Sequence, residues 1–186
     1  MIYFLRHGQD DEKYVGGWSD IPLLSLGREQ VRESGLWIKD NLKIERIVSS
    51  DINRALESAR IVQELLDVPL IKDSNLREQN KGLLNGVEKE IAYTKYPGFT
   101  DKEITVDTVF PEGESLRNLY ERIKVYLNKI LEMEDDTLLI THRGVINMIY
   151  FILNNKELDM NKKQFGVDVA SVHELDKDKK IIKKVR

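Results

Sequence analysis

The chain has no cysteine. That excludes disulfides, thiolate metal sites and a thiol nucleophile, and it fits a reducing compartment. Histidine is scarce, with three among 186 residues: His7, His142 and His173. No apolar run approaches the roughly 20 residues of a membrane span. The opening MIYFL is too short for a secretion signal and lacks a basic lead. A cytoplasmic protein with no membrane partner is therefore the expectation. Positive charge is not in excess either. The formal net charge is −3, whereas nucleic-acid binding calls for a basic stripe. The one basic cluster, from Lys177 to Arg186, is interleaved with Asp178 and two isoleucines. It reads as the solvated face of a last strand. No internal repeat, low-complexity segment or linker is legible.

What is present is ordinary for a folded domain, with 41% apolar and 33% charged residues. One domain over residues 1–186 is expected, long enough to bury a sizeable core. Ile2–Leu5 is apolar at consecutive positions and reads as a buried strand. Helices are expected over 26–42, capped by Ser25, and over 52–66, with Val31, Gly35, Ile38 and Ala55, Ala59, Val62 inward. Short strands are expected at 46–49 and, with Pro69, at 68–71 on a sheet edge. A short helix is expected at 88–96, a loop from Pro97 to Gly113, and an amphipathic helix over 115–131. Thr137–Thr141 reads as a buried strand and 145–153, apolar nearly all round, as a buried helix. Strands at 170–175 and 180–184 close the chain.

Strands and helices alternate. That predicts an α/β domain, a three-layer αβα sandwich with a mainly parallel sheet and helices on both faces. Residues 75–112 would form a short insertion over the carboxyl ends of the strands.

Ligands of such sheets bind beyond those carboxyl ends. The first strand delivers Arg6, His7 and Gly8 there. The second delivers Ser49 and Ser50, then Arg54 in the first turn of a helix, and "TLLIT" delivers His142, Arg143 and Gly144. Two histidines, arginines and a helix start at one rim suit an anion. Arginine forks match phosphate oxygens, free N–H groups at a helix start favour negative charge, and a neutral histidine is a nucleophile. His173, in an alternating strand, reads as structural.

"FLRHG" resembles the hallmark of the histidine phosphatase superfamily, whose cofactor-dependent phosphoglycerate mutases are its best-known branch. Five further blocks match in order: "GGWSDIPLLSLGREQ", "SSDINRALESA", "LREQNKGLLNG", "PEGES" and "LLITHRGVI". The resemblance covers nearly the whole chain, from about Ile2 to Leu175. It implies that His7 is the nucleophile and forms a phosphohistidine. Arg6, Arg54 and His142 would hold the phosphoryl oxygens, and a backbone N–H of Arg143 or Gly144 would add a donor. Glu78 would be the general acid and then the base for water. Read without the resemblance, Glu78 looks like a surface residue among Arg77, Gln79, Asn80 and Lys81. Gly8 would let the backbone turn beside the phosphate, and Gly17, Lys81 and Arg143 would join the substrate side. Trp18, Asp20 and Pro22 would fix the loop over the site, and Leu83, Gly86 and Leu116 would pack. No cofactor and no metal are implied, and a homodimer is in keeping with the family.

The chain departs from the family in "QDDEKY", where members place an Asn for phosphate and this chain has Lys13 nearby. Two readings stand for Lys13: a substitute point charge, or an exposed side chain. The acidic loop Asp10–Glu12 would repel highly anionic substrates unless salt screens it. Lys81 stands where mutases place a Tyr, and the long basic mutase insertion is missing. These departures favour a phosphatase of a small phosphorylated molecule, metal-independent and acting through phospho-His7. The rivals are a mutase with the same first half-reaction and a phospho-ligand binder without turnover.

Overall fold

The computed structural model describes residues 1–100, 102–161 and 163–186. Asp101, inside the stretch expected to be loop, lies outside them. The elements run β1 (Ile2–Arg6), α1 (Ser25–Asn41), β2 (Arg46–Ser49), α2 (Asn53–Leu66), β3 (Leu70–Lys72), α3 (Lys89–Lys95), α4 (Leu116–Leu131), β4 (Thr137–Thr141), α5 (Arg143–Leu153), β5 (Val172–Asp176) and β6 (Ile181–Lys184). The strands form one sheet in the order β3-β2-β4-β1-β5-β6. The first four are parallel, while β5 and β6 run antiparallel at one edge. The expected α/β sandwich is therefore present, with β3 at the other edge.

Alternation along the strands divides the core. Ile2, Phe4 and Leu139 face the layer of α4 and α5. Tyr3, Leu5, Leu138 and Ile140 face the layer of α1 and α2. Each helix presents an apolar stripe to its own face of the sheet, as period 3.6 requires. α5 is apolar nearly all round and buried from Val145 to Phe151. Its outer side is covered by Phe165, whose ring lies 4.9 Å from that of Tyr150 and 5.0 Å from that of Phe151. Ile182 is buried while Lys183 and Lys184 pair with Glu174 and Asp168, so the basic C-terminus is a solvated strand face.

Two local readings need correction. Ser25 does not cap α1: Leu24 holds the extended cap position without a side-chain bond, and Ser25 is already helical. Ser115 does cap α4, in a reciprocal box with Asn118. Leu83 does not pack, being 45% exposed, whereas its neighbour Leu84 is fully buried. Leu84 joins Val15, Ala92, Ile104 and Phe110 in a third cluster, drawn from the 75–112 segment and the loop after β1.

The start of α1 lies hard against the loop after β1. A Cβ on Gly8 would come within 2.1 Å of the Gly27 carbonyl oxygen, and one on Gly27 within 2.1 Å of the Gln9 oxygen. The obstacle is backbone in both cases, so neither loop nor helix can yield cheaply. Gly27→Ala is expected to cost at least about 2 kcal/mol by overpacking. Urea denaturation of the two proteins measures it, and a loss below about 0.5 kcal/mol would show that α1 shifts freely.

Candidate active site

Because β4 lies between β1 and β2, three strand ends stand side by side. Arg6 is level with Thr141 across one pair and Ser49 with Ile140 across the other. The residues that follow these ends build the site.

His7 is 4% exposed. Its Nδ1 lies 2.7 Å from the Gly8 carbonyl, which can only accept, so Nδ1 carries a proton. Arg54 Nε donates to His7 Nε2 at 3.1 Å, so Nε2 is an acceptor with a lone pair. Both partners select the same neutral tautomer. Burial first, then the Arg54 and Arg6 guanidiniums, hold the His7 pKa well below the ordinary value of 6.5.

His142 stands at the cap position of α5, fully buried. Its ring meets that of His7 edge-on, with centroids 5.1 Å apart, and its Nε2 lies 2.9 Å from Ser50 Oγ. Burial, then Arg54 and His7, depress its pKa as well. Burial and then Arg143 lower the Arg6 pKa to about 10, which leaves Arg6 a cation at neutral pH. Arg6 Nε and His142 Nδ1 are buried without a hydrogen-bond partner. Orphaned polar atoms of this kind are costly.

Glu78 arrives from another direction. Leu76, fully buried, is tied to the end of β4 by Thr141 Oγ1, which donates to its carbonyl at 2.7 Å. Two residues on, Glu78 Oε2 accepts the Gly144 N–H at 3.0 Å and Oε1 that of Gln79 at 3.0 Å. The α5 start thus holds the Glu78 carboxylate, where the reading from sequence had set its N–H against phosphate. A Cβ on Gly144 would lie 2.0 Å from Glu78 Oε1, so this approach needs glycine. Trp18 Nε1 donates to the Glu78 carbonyl at 2.7 Å. Arg122 Nη2 donates to the same carbonyl and to Glu114 Oε1. Reasoning from sequence missed Arg122: on an amphipathic helix, a charged residue off the apolar stripe reads as solvated.

These groups close the floor of a cavity of about 430 Å³, lined there by Arg6, His7, Arg54, Glu78, Arg143 and Gly144. Lys81 and Gly17 line it too, and the Gly17 carbonyl accepts Arg54 Nη2 at 2.9 Å. Its outer wall includes Tyr93, Ile104, Leu116, Met148, Phe151 and Met160. Gly8 lies behind the floor, its N–H donating to Ser58 Oγ at 3.3 Å. His142 is also behind the floor. Lys13 is 61% exposed, pairs with Glu88 at 2.9 Å and does not line the cavity. That is the exposed one of its two readings.

His173, on β5, is fully buried and bonded at both ring nitrogens, to Tyr150 and Ser171. Burial lowers its pKa to about 4. The unfolded side chain takes a proton near pH 6.5, and the folded one resists until near 4. Stability is therefore full above the unfolded value and falls as pH drops through that window. This residue alone accounts for at most roughly 3 kcal/mol. His7 and His142, also depressed, act in the same direction. Urea midpoints at about pH 7 and about pH 4.5 check this, and equal unfolding free energies would contradict it.

The parallel-sheet frame and the paired histidines flanked by arginines are those of one family. A family profile of the histidine phosphatase superfamily (branch 1) matches residues 2–185, and the chain belongs to that superfamily. Among its relatives is the Bacillus subtilis protein named uncharacterized phosphatase PhoE, 28% identical over 153 residues, or 80% of this chain and 74% of that one. The Escherichia coli protein named probable phosphoglycerate mutase GpmB is 30% identical over 149 residues, 76% and 69% of the two chains. Among solved structures, Bacillus stearothermophilus YhfR is similar with a TM-score of 0.80 at 25% identity, over 94% of this chain and 91% of that one. The Shigella flexneri alpha-ribazole phosphatase shares the fold at TM-score 0.82 and 18% identity, over 98% and 93%.

Proposed function

We propose that the chain is a phosphoric monoester hydrolase that works through a phosphohistidine on His7. The observation that carries this is the fixed tautomer: Nδ1–H is held by Gly8, which leaves the Nε2 lone pair beside guanidinium groups at a cavity floor. Nε2 attacks phosphorus, the bond from phosphorus to the ester oxygen breaks, and Glu78, entering the step as the protonated carboxylic acid, gives that oxygen its proton. The carboxylate then takes a proton from water, whose oxygen attacks phosphorus. The P–N bond breaks, and phosphate and neutral His7 are left. Arg6, Arg54 and Arg143 supply the positive charge that spreads over the transferred group, so no metal is called for in this reading. His142, once an anion binds nearby, gains a reason to take a proton.

The cavity wall carries apolar side chains such as Leu116, Met148 and Phe151 beside charged ones such as Glu12, Lys89 and Lys163, which accommodates an organic leaving group without selecting its polarity. In this reading the cavity admits the water that hydrolysis requires, whereas a mutase must exclude it. The names of PhoE and the alpha-ribazole phosphatase support a phosphatase, and that of GpmB keeps a mutase in view.

The deciding experiment is a phosphatase assay on a chromogenic monoester with chelator present. Steady hydrolysis supports the proposal. Bisphosphoglycerate-dependent isomerisation without hydrolysis would make the chain a mutase. Phosphate binding without turnover would make it a binder.

A further inference from the structure

The acidic loop after His7 is not wholly solvated. Asp10 has a side chain 19% exposed, and its Oδ2 lies 3.4 Å from Nε of Arg54, a side chain 2% exposed. That same Nε faces the nucleophile, at 3.1 Å from His7 Nε2. The other nitrogens of Arg54 are turned away: Nη1 donates to Ser19 and Nη2 to the Gly17 carbonyl. The edge of the guanidinium that could meet a phosphoryl group on His7 is therefore the edge that Asp10 neutralises. The loop does not place Asp10 there by chance. Asp10 is bridged to Leu23, and the Leu24 N–H is held by the Gln9 carbonyl at 2.9 Å.

We propose that Asp10 is a resident anion that competes with the phosphoryl group for Arg54, and so sets how weakly the site holds phosphate. The inference rests on the reading of the cavity as a phosphoryl site. A dianion arriving at His7 must displace or sit beside the Asp10 carboxylate, and like charges at such range in a half-enclosed site oppose each other strongly. The penalty falls equally on bound ester and on bound phosphate. It raises KM, and it speeds departure of a product that Arg6, Arg54 and Arg143 would otherwise retain. Asp10 thus acts on specificity and release, with no bond made or broken at its carboxylate.

The test is equilibrium binding of inorganic phosphate, measured by calorimetry on the full chain, for wild type, Asp10→Asn and Asp10→Ser. Asn keeps the size and a hydrogen-bonding end. Ser removes the reach, so a folding fault in one variant does not decide the matter. Both variants are expected to bind phosphate about tenfold more tightly. Product inhibition of hydrolysis should strengthen in step. Asp11→Asn removes an equal charge from the same loop and the same cavity lining without touching Arg54, and is expected to change affinity clearly less than Asp10→Asn does. Unchanged or weaker phosphate binding in both Asp10 variants overturns the inference and leaves the phosphatase reading standing. The same shift in Asp11→Asn as in Asp10→Asn also overturns it, since a general field would then suffice. Failure of wild type and every variant to bind phosphate overturns the phosphoryl-site reading itself, and this inference with it.

Discussion

His7→Ala is expected to lower hydrolysis of any phosphomonoester by at least roughly 10⁴-fold and to abolish the phosphoenzyme. The size follows from what the side chain supplies. Nε2 is the imidazole lone pair at the cavity floor, and among the described residues lining the cavity the other neutral nitrogens belong to amides, which are not nucleophiles. His142 is behind it, with Nε2 engaged by Ser50. The substitution removes the bond-forming atom and leaves Arg6, Arg54 and Arg143 to bind phosphate. Turnover is therefore expected to collapse while phosphate affinity survives. Rapid quench with labelled substrate gives a second readout. Wild type should accumulate a phosphoramidate that is labile in acid and stable in base. An acid-stable adduct, or an adduct persisting in His7→Ala, would move the nucleophile elsewhere.

Glu78→Gln is expected to lower turnover by roughly 10²–10⁴-fold for esters of poor leaving groups, and far less for a nitrophenyl ester in the first half-reaction. An alkoxide must be protonated as it departs, whereas nitrophenolate leaves unaided. Gln keeps the shape of the side chain, and its carbonyl can still accept the Gly144 N–H, while the Gln79 N–H loses its acceptor. The leaving-group dependence, which a change of position alone does not produce, therefore carries the test. Plotting log kcat/KM against leaving-group pKa should give a steeper slope in the variant. Parallel slopes would mean that Glu78 only positions, and that another group delivers the proton.

Much of this was legible in the sequence because local rules decide it. Consecutive apolar residues make Ile2–Leu5 a strand buried on both faces. Period 3.6 gives α2 and α4 their inner stripes. Asp10, Arg122 and Lys13 were not legible, because a charged residue carries no sign of its partner. Asp10 and Lys13 are three apart in the same acidic stretch, yet one neutralises a buried arginine and the other pairs with Glu88 outside the cavity. Glu78 lies in a run of polar residues with no periodic pattern. Its approach to Gly144 depends on contacts of Thr141, Trp18 and Arg122 with backbone far along the chain.

By itself the sequence determined the layer architecture, the strands that end in Arg6–His7, Ser49–Ser50 and Thr141–His142, and the family. The tertiary structure alone decided that these ends are neighbours. The chain passes from β1 through α1 to β2 and leaves a gap that β4, almost ninety residues later, fills. Strand order is set by the packing of two helix layers across the sheet, a non-local sum that no short stretch encodes. That order brings His7, Arg54 and His142 together, and it sets Asp10 against the guanidinium that a phosphoryl group needs.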